Sequence, residues 1–479
     1  MLAALVAAAV AAPPNVVLIF ADDLGIGEVG AYGQQKVPTP NLDRLAKEGT
    51  RFTRFYTASP VCAPSRASLL TGKHTGRSPI RGNKEVGGWE LNSGEGQMSL
   101  PAAERTIAEG FKERGYATAA IGKWGLGAPG SEGHPNNQGF DTFFGYLCQR
   151  QAHNLYPAYL WHNSDVHLLT GNRYYRPSVK ITHEQATDET FATFVGKQFA
   201  EHELRAQAVK WIELQKERPF FLYYASPMPH VSLQAPPDEV AKFPLEWDPE
   251  PYLGQNGYVP AKRPRATYAA MISALDTSVG AILDTLERTG KLDSTLIIFT
   301  SDNGPTFLGQ VDRAFFNSSA GLRGTKSTGY EGGIRMPMLV RWPGQVPAGR
   351  VLDQVSYAPD LMPTLAAVAG FRPGSHDGQN QLAVWRGGAS SRRKELYFEF
   401  PENGGFLAAI FDDRWKAIRP RLAQGNKSIE IYDLDMDPAE KTDLAASRPD
   451  LVRRAERFFA LEHRPNPNFP LPGVDSPIK

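Results

Sequence analysis

Along the chain, short and wholly apolar runs bounded by turn-forming residues alternate with longer segments whose apolar positions recur every three or four residues. The runs NVVLIF (Asn15 to Phe20), TAAIG (Thr118 to Gly122), FFLYYA (Phe220 to Ala225), LIIFTS (Leu296 to Ser301) and PMLVRW (Pro337 to Trp342) read as strands buried on both faces. NLDRLAKEG (Asn41 to Gly49), ERTIAEGFKERG (Glu104 to Gly115), ELRAQAVKWIELQKE (Glu203 to Glu217) and TYAAMISALDTSVGAILDTLERTG (Thr267 to Gly290) read as the helices between them. The pattern predicts an α/β fold: a large, mostly parallel sheet with right-handed crossovers and helices on both faces. A further helix, PDLMPTLAAVAG (Pro359 to Gly370), closes this series, and beyond a loop near GGASSRR the character changes. ELYFEF, FLAAIFDD, WKAIRP and IEIYDLD are short strands at hairpin spacing, followed by the helix DLVRRAERFFALEH (Asp450 to His463). We expect a catalytic domain over residues 13–370 and a smaller C-terminal α+β domain on an antiparallel sheet over residues 371–479.

Composition narrows the function classes. With 52 Lys+Arg against 51 Asp+Glu the formal net charge is +1, so nothing argues for a nucleic-acid partner or an acidic tail. Two cysteines, Cys62 and Cys148, make no disulfide framework and no zinc spacing, although a single bridge between them stays open. No run of about 18 apolar residues predicts a membrane span. LAALVAAAVAA (Leu2 to Ala12) has the length and small residues of an export-signal core but no basic residue ahead of it. Residues 1–12 are therefore read as an export signal, with a periplasmic or secreted location; an Ala-rich start without function is the alternative.

In an open α/β sheet, ligands bind beyond the carboxyl ends of the strands. The first strand runs into Ala21-Asp22-Asp23, the second into Lys123, the third reaches His230 through Ser-Pro-Met-Pro, and the fourth delivers Asp302-Asn303. Each alone could be a turn or a helix cap. Together Asp22, Asp23, Asp302 and Asn303 offer only oxygen ligands, three of them anionic, which suits calcium or magnesium and not zinc. Without a cation, carboxylates so crowded would repel one another.

The stretch VCAPSRASLLTG (Val61 to Gly72) places one of the two cysteines at a predicted helix start. Pro64 fits the first helical position, and a helix N-terminus with Arg66 one turn on would favour a thiolate. His230 could serve such a thiolate as a base. A cysteine hydrolase nevertheless sits poorly beside a divalent-cation site, and a plain buried cysteine is the simpler alternative.

PNVVLIFADDLGIGEVGAYG and TPNLDRLAKEGTRFTRFYTASPVCAPSRASLLTG closely resemble the opening of the type I sulfatases, the formylglycine-dependent arylsulfatase family of the alkaline-phosphatase superfamily. GYATAAIGKWGLG, SDNG, GLRGTKSTGYEGGIRMPMLVRWPG, DDRWKAIRP and IYDLDMDPAEKTDLA extend the resemblance over most of the chain. It implies sulfate-ester hydrolysis through formylglycine, made from Cys62 by a maturation enzyme. A hydroxyl of the hydrated aldehyde attacks sulfur with calcium assistance, a covalent sulfo-enzyme forms, and the second hydroxyl expels sulfate. It further implies Asp22, Asp23, Asp302, Asn303 and the modified Cys62 as calcium ligands, with magnesium a lesser choice. Arg66 orients the aldehyde hydrate, Lys123 and Lys326 grip sulfate oxygens, and His230 is the general acid. Lys326 lies in a Gly/Ser/Thr-rich loop that lets backbone approach an anion.

One position departs from the family. Many sulfatases read Gly-Lys-Trp-His-Leu-Gly where this chain has Gly125 in GKWGLG, so a histidine that assists sulfate release is missing. His74 and His153 are the candidates to replace it, and His153 is preferred as a substrate contact. Arg150, His153, His162 and the aromatic run LYPAYLWHN (Leu155 to Asn163) could line a pocket for a sulfated sugar, or could form a loop packed by its own aromatics. A carbohydrate sulfate is the expected substrate, with an aryl sulfate as a model compound. A phosphate or phosphonate monoester hydrolase and a non-catalytic carbohydrate-binding relative are the alternatives.

Overall fold

The structure, a computed structural model, describes residues 12–87, 95–173, 178–389, 393 and 395–475. All but the last residue of the expected export segment, and part of the GGASSRR loop, lie outside the described residues.

Fifteen strands form among the described residues: β1 (Asn15–Ala21), β2 (Thr50–Tyr56), β3 (Ala117–Lys123), β4 (Thr142–Tyr146), β5 (Tyr159–His162), β6 (Asp165–Leu168), β7 (Phe220–Ala225), β8 (Thr295–Ser301), β9 (Arg335–Arg341), β10 (Arg350–Leu352), β11 (Ser356–Tyr357), β12 (Glu395–Phe400), β13 (Phe406–Phe411), β14 (Trp415–Pro420) and β15 (Glu430–Asp433). The first eleven make one sheet in the order β10-β2-β9-β8-β1-β7-β3-β4-β5-β6, with β11 beside β2. Its centre, β8-β1-β7-β3-β4, is parallel throughout. β1, β3, β7 and β8 are buried at every residue, as their unbroken apolar runs require. Helices Pro40–Glu48, Ala200–Leu214 and Pro264–Arg288 cover one face, and Cys62–Thr71, Ile107–Glu113 and Leu361–Ala369 the other. Pro264–Arg288 is long and apolar enough to cross a bilayer, but it is packed into the first of these cores.

Two reversals in the sheet decide where the functional residues fall. The PMLVRW strand, β9, runs antiparallel to β8, so the segment between them leaves and returns at the carboxyl end of β8. This brings Lys326 back to the rim that carries Asp302. β2 is in turn antiparallel to β9 and therefore points the same way as β8, delivering Cys62 to the same rim. No run in the sequence announced β2, because TRFTRFY alternates buried with half-buried positions. At the other edge, β5 and β6 form an antiparallel hairpin beyond β4.

The smaller sheet is antiparallel in the order β12-β13-β14-β15. One face packs under helix Pro449–Glu462, and the other against Tyr56, Val61, Ile334 and Tyr357 of the large unit. A fully buried ionic cluster joins the two. Lys416 Nζ on β14 meets Glu331 Oε1 and Glu440 Oε1, each at 2.9 Å. The Tyr56 hydroxyl donates to Glu331 Oε2 at 2.8 Å, and the Glu331 N–H donates to Glu440 Oε2 at 2.7 Å. Removing one partner leaves uncompensated buried charge. Lys416→Met is therefore expected to lower unfolding stability by about 3–5 kcal/mol in urea titrations; a loss under about 1 kcal/mol would mean that the cluster does not hold the two units together.

Candidate active site

Seven predicted side chains converge in a space that water barely reaches: Asp22, Asp23, Asp302, Asn303, Arg66 and Lys123 are at most 1% exposed, and Lys326 is 8% exposed. The oxygen donors come from two neighbouring strands, β1 and β8, whose register sets Ala21 against Ser301 so that their next residues share the rim. Asp23 is held in the left-handed region (φ 63°), where a non-glycine residue is strained; Ser327, beside Lys326, shares that conformation (φ 69°). The Asp23 N–H donates to Asp302 Oδ1 at 3.0 Å, and Asn303 Nδ2 donates to Asp23 Oδ1 at 2.7 Å. Asn303 Oδ1 is buried without a partner. An orphaned amide oxygen beside three carboxylates is the donor set of a hard divalent cation.

Three cations face the carboxylates. Arg66 reaches Asp302 Oδ2 at 3.0 Å and Asp22 Oδ2 at 3.5 Å, and donates to the Lys123 carbonyl at 2.6 Å. Lys123 Nζ lies 2.5 Å from Asp22 Oδ2, and Lys326 Nζ 2.7 Å from Asp23 Oδ1. Burial would raise the Asp22 carboxyl, but Lys123, His230, Arg66 and Lys326 hold it well below the usual range. Burial wins at Asp23, which is raised despite Lys326. At Asp302, burial and then Asp22 push the carboxyl up to about 7. Burial would lower Lys326, but Asp23 and Cys62 keep it well above the usual lysine value.

Cys62 is the first residue of helix Cys62–Thr71, so Pro64 stands third, where its missing N–H is still no loss. Its Sγ lies 3.5 Å from both Asp22 Oδ1 and Lys326 Nζ. Burial and Asp22 push the thiol up to about 12, against Lys123 and Lys326, so the fold does not favour the thiolate that the helix start alone suggests. Cys62 and Cys148 are both free, so the bridge left open by the sequence does not form. Asp22, Asp23, Cys62 and His230 each bring one ligand atom within 4.8 Å of the others.

His230 sits beyond β7 with Nδ1 2.5 Å from the Val231 carbonyl, which assigns the proton to Nδ1 and leaves Nε2 facing Asp23 Oδ2 at 3.6 Å. Burial and the charges of Lys326 and Lys123 lower its pKa well below the ordinary histidine value, so the imidazole is neutral. His153 stacks on it, with ring centres 4.7 Å apart and planes at 11°. Tyr258 stands edge-on to His153 at 5.3 Å, in the left-handed region (φ 65°). No motif pointed to Tyr258; its strained backbone conformation becomes visible only in the fold.

The remaining candidates do not gather here. His74 Nε2 meets Glu462 at 3.1 Å, tying the signature helix to the C-terminal helix. Arg150 pairs with Glu85 at 2.7 Å. His162 is exposed on β5, which runs away from the rim, with its ring against Phe144. Within the aromatic run, Tyr159 and Trp161 both donate to the Glu95 carboxylate, so these side chains are tied to a separate segment well before them in the chain.

A carboxyl-rim site with oxygen donors for a hard cation, flanked by buried lysines and a neutral histidine, defines a metal-assisted hydrolase of anionic esters. A family model described as Sulfatase matches residues 14–371, and one described as N-sulphoglucosamine sulphohydrolase, C-terminal, matches residues 325–452. Arylsulfatase A of Homo sapiens is 34% identical, covering 95% of this chain and 88% of that protein. N-acetylgalactosamine-6-O-sulfatase of Bacteroides thetaiotaomicron is 30% identical, covering 93% and 92%. Among solved structures, Ps i-CgsB in complex with k-i-k-neocarrahexaose superposes with a TM-score of 0.74 at 29% identity, covering 94% of each chain. The chain belongs to the sulfatase family and is a sulfuric ester hydrolase. That family is generally metal-dependent and carries a formylglycine, and the acidic, cysteine and histidine cluster fits such a centre.

A ligand that binds only the folded state stabilises it by about 2.7 kcal/mol at a hundred times its dissociation constant. Calcium is accordingly expected to raise the thermal midpoint of the wild type, and Asn303→Leu to abolish most of that rise. A midpoint unmoved by calcium and by magnesium would exclude a hard-cation site.

Proposed function

We propose that the enzyme removes sulfate from a sulfated carbohydrate, using formylglycine made from Cys62 and a bound calcium ion. The observation that carries this reading is Cys62 at the first position of a buried helix, its Sγ 3.5 Å from both Asp22 and Lys326, with the orphaned Asn303 oxygen at the same rim. Asp22, Asp23, Asp302 and the free Asn303 oxygen would hold the cation. When present, the cation and the hydrated aldehyde supply a Lewis acid and a hydroxyl nucleophile.

The chain's own groups do the rest. Lys123 and Lys326 leave their carboxylates in part to bind sulfate oxygens, where negative charge grows. Arg66, pinned by Asp302 and the Lys123 carbonyl, fixes the helix start and favours the ionised forms of Asp22 and Asp302. The neutral His230 Nε2 must first gain a proton; an entering sulfate opposes the lysine charges that lower its pKa, and the protonated ring then donates to the leaving oxygen. His153 and Tyr258 form an uncharged wall beside it, suited to a sugar ring. Relatives named N-acetylgalactosamine-6-sulfatase and the structure titled with neocarrahexaose support a carbohydrate substrate. A maturation enzyme for Cys62 and export from the cytoplasm belong to the same reading.

Three measurements bear on it. The tryptic peptide containing Cys62 is expected about 18 Da lighter than its thiol form when made in a host able to install the aldehyde; an unmodified thiol there would reject the mechanism. Cys62→Ala is expected to lose sulfate release but keep calcium-induced stabilisation, and an aryl phosphate should turn over far more slowly than the matching sulfate. His230→Ala is expected to reduce kcat on a sugar sulfate about 10²–10⁴-fold but to cost much less on 4-nitrophenyl sulfate, whose leaving group needs little protonation; equal losses would remove His230 as the acid.

A further inference from the structure

The departure at Gly125 has a physical counterpart in the fold. Gly125 is in the left-handed region (φ 76°), and a Cβ there would lie 2.7 Å from Gln149 Cγ, 3.0 Å from Cδ and 3.4 Å from Oε1. Gln149, delivered by the segment after β4, thus fills the space a side chain at position 125 would enter. It is 4% exposed. Its Nε2 donates to Asn83 Oδ1 at 3.2 Å, and that same oxygen accepts the Ala63 N–H at 3.0 Å. Because Asn83 Oδ1 is already committed as an acceptor at the start of the Cys62 helix, the Gln149 nitrogen must face it and the Gln149 oxygen must turn away. That oxygen is buried and has no partner. Leaving a carboxamide oxygen unsatisfied costs about 1–3 kcal/mol, so a hydrogen-bond donor belongs opposite it.

We infer that Gln149 takes over the work of the histidine missing at position 125, its side-chain oxygen accepting a hydrogen bond from a hydroxyl at the reacting centre. The inference rests on the proposed sulfatase chemistry. It also accounts for Gly125 itself: with glutamine in the slot, only glycine fits opposite. The hydroxyl has two available sources, the hydrated aldehyde at position 62 and a sugar hydroxyl of the substrate.

The test uses the full chain, matured at position 62 and loaded with calcium, with wild-type turnover of 4-nitrophenyl sulfate as the baseline. Absence of that baseline would count against the proposed function and not against Gln149. Gln149→Met keeps the volume and removes the carboxamide; it is expected to lower turnover on the order of tenfold, the usual size of one lost hydrogen bond. If the donor is the hydrate, kcat falls alike on the aryl and sugar sulfates, and an aminooxy probe captures the aldehyde faster without any substrate present. If the donor is a sugar hydroxyl, only the sugar sulfate loses kcat/KM and capture by the probe is unchanged. Wild-type rates in Gln149→Met on both substrates would overturn the inference.

Discussion

Three carboxylates held out of water set the terms for the whole molecule. Asp22, Asp23 and Asp302 lie at the ends of two adjacent strands and are 0% exposed. Burying even one ionised carboxylate without compensation costs several kcal/mol, so the fold has to bring positive charge from elsewhere in the chain. Arg66, Lys123 and Lys326 supply it from three different elements, and each contacts at least one of the carboxylates. Three cationic side chains thus face three carboxylates before any divalent ion binds. A divalent ion held there would add positive charge, which favours an anionic ester.

That requirement explains features of the architecture that look unrelated to it. The reversal of β9 returns the Lys326 loop to the β8 rim, and the orientation of β2 brings the Cys62 helix beside it. The small sheet braces the same loop: Lys416 holds Glu331, and Asn403 Nδ2 donates to Ser327 Oγ at 3.0 Å. Asn83, which receives the Ala63 N–H, in turn donates its own N–H to Glu402 beyond β12 at 3.1 Å. The C-terminal unit therefore supports two walls of the site while contributing none of the predicted metal or sulfate ligands.

The parallel centre of the sheet and its rim residues were legible because an apolar run ending in a charged residue carries both facts at once. β1, β3, β7 and β8 could be read this way, and with them Asp22, Asp23, Lys123, His230, Asp302 and Asn303. β2 could not, since an amphipathic strand near a sheet edge has no unbroken apolar run. Lys326 needed the family motif, because nothing in a Gly/Ser/Thr loop shows where its ends meet. At Cys62 the helix start and Arg66 that would favour a thiolate are visible in the sequence, but the desolvation and the nearness of Asp22 that raise the thiol arise only on folding. Arg150 and His162 drew attention as charged or titratable groups in an aromatic insert, and their partners, Glu85 and Phe144, were too distant in sequence to foresee.

The two sides of the site differ in kind, and the difference gives the reaction a direction. On one side stand Arg66, Lys123 and Lys326 with the carboxylates; on the other His153, His230 and Tyr258, two imidazoles stacked face to face with a phenol at their edge. Stacking two rings at 4.7 Å in a buried space is tolerable only while they do not both carry charge. The neighbouring imidazole and the two lysines lower His153 as well, after burial. Under the proposed mechanism a sulfate group faces the ionic side and its ester oxygen faces the aromatic side, so charge is managed by one wall and the proton by the other. His153 then acts by staying neutral beside His230, keeping the exchanged proton on the ring that faces the ester oxygen.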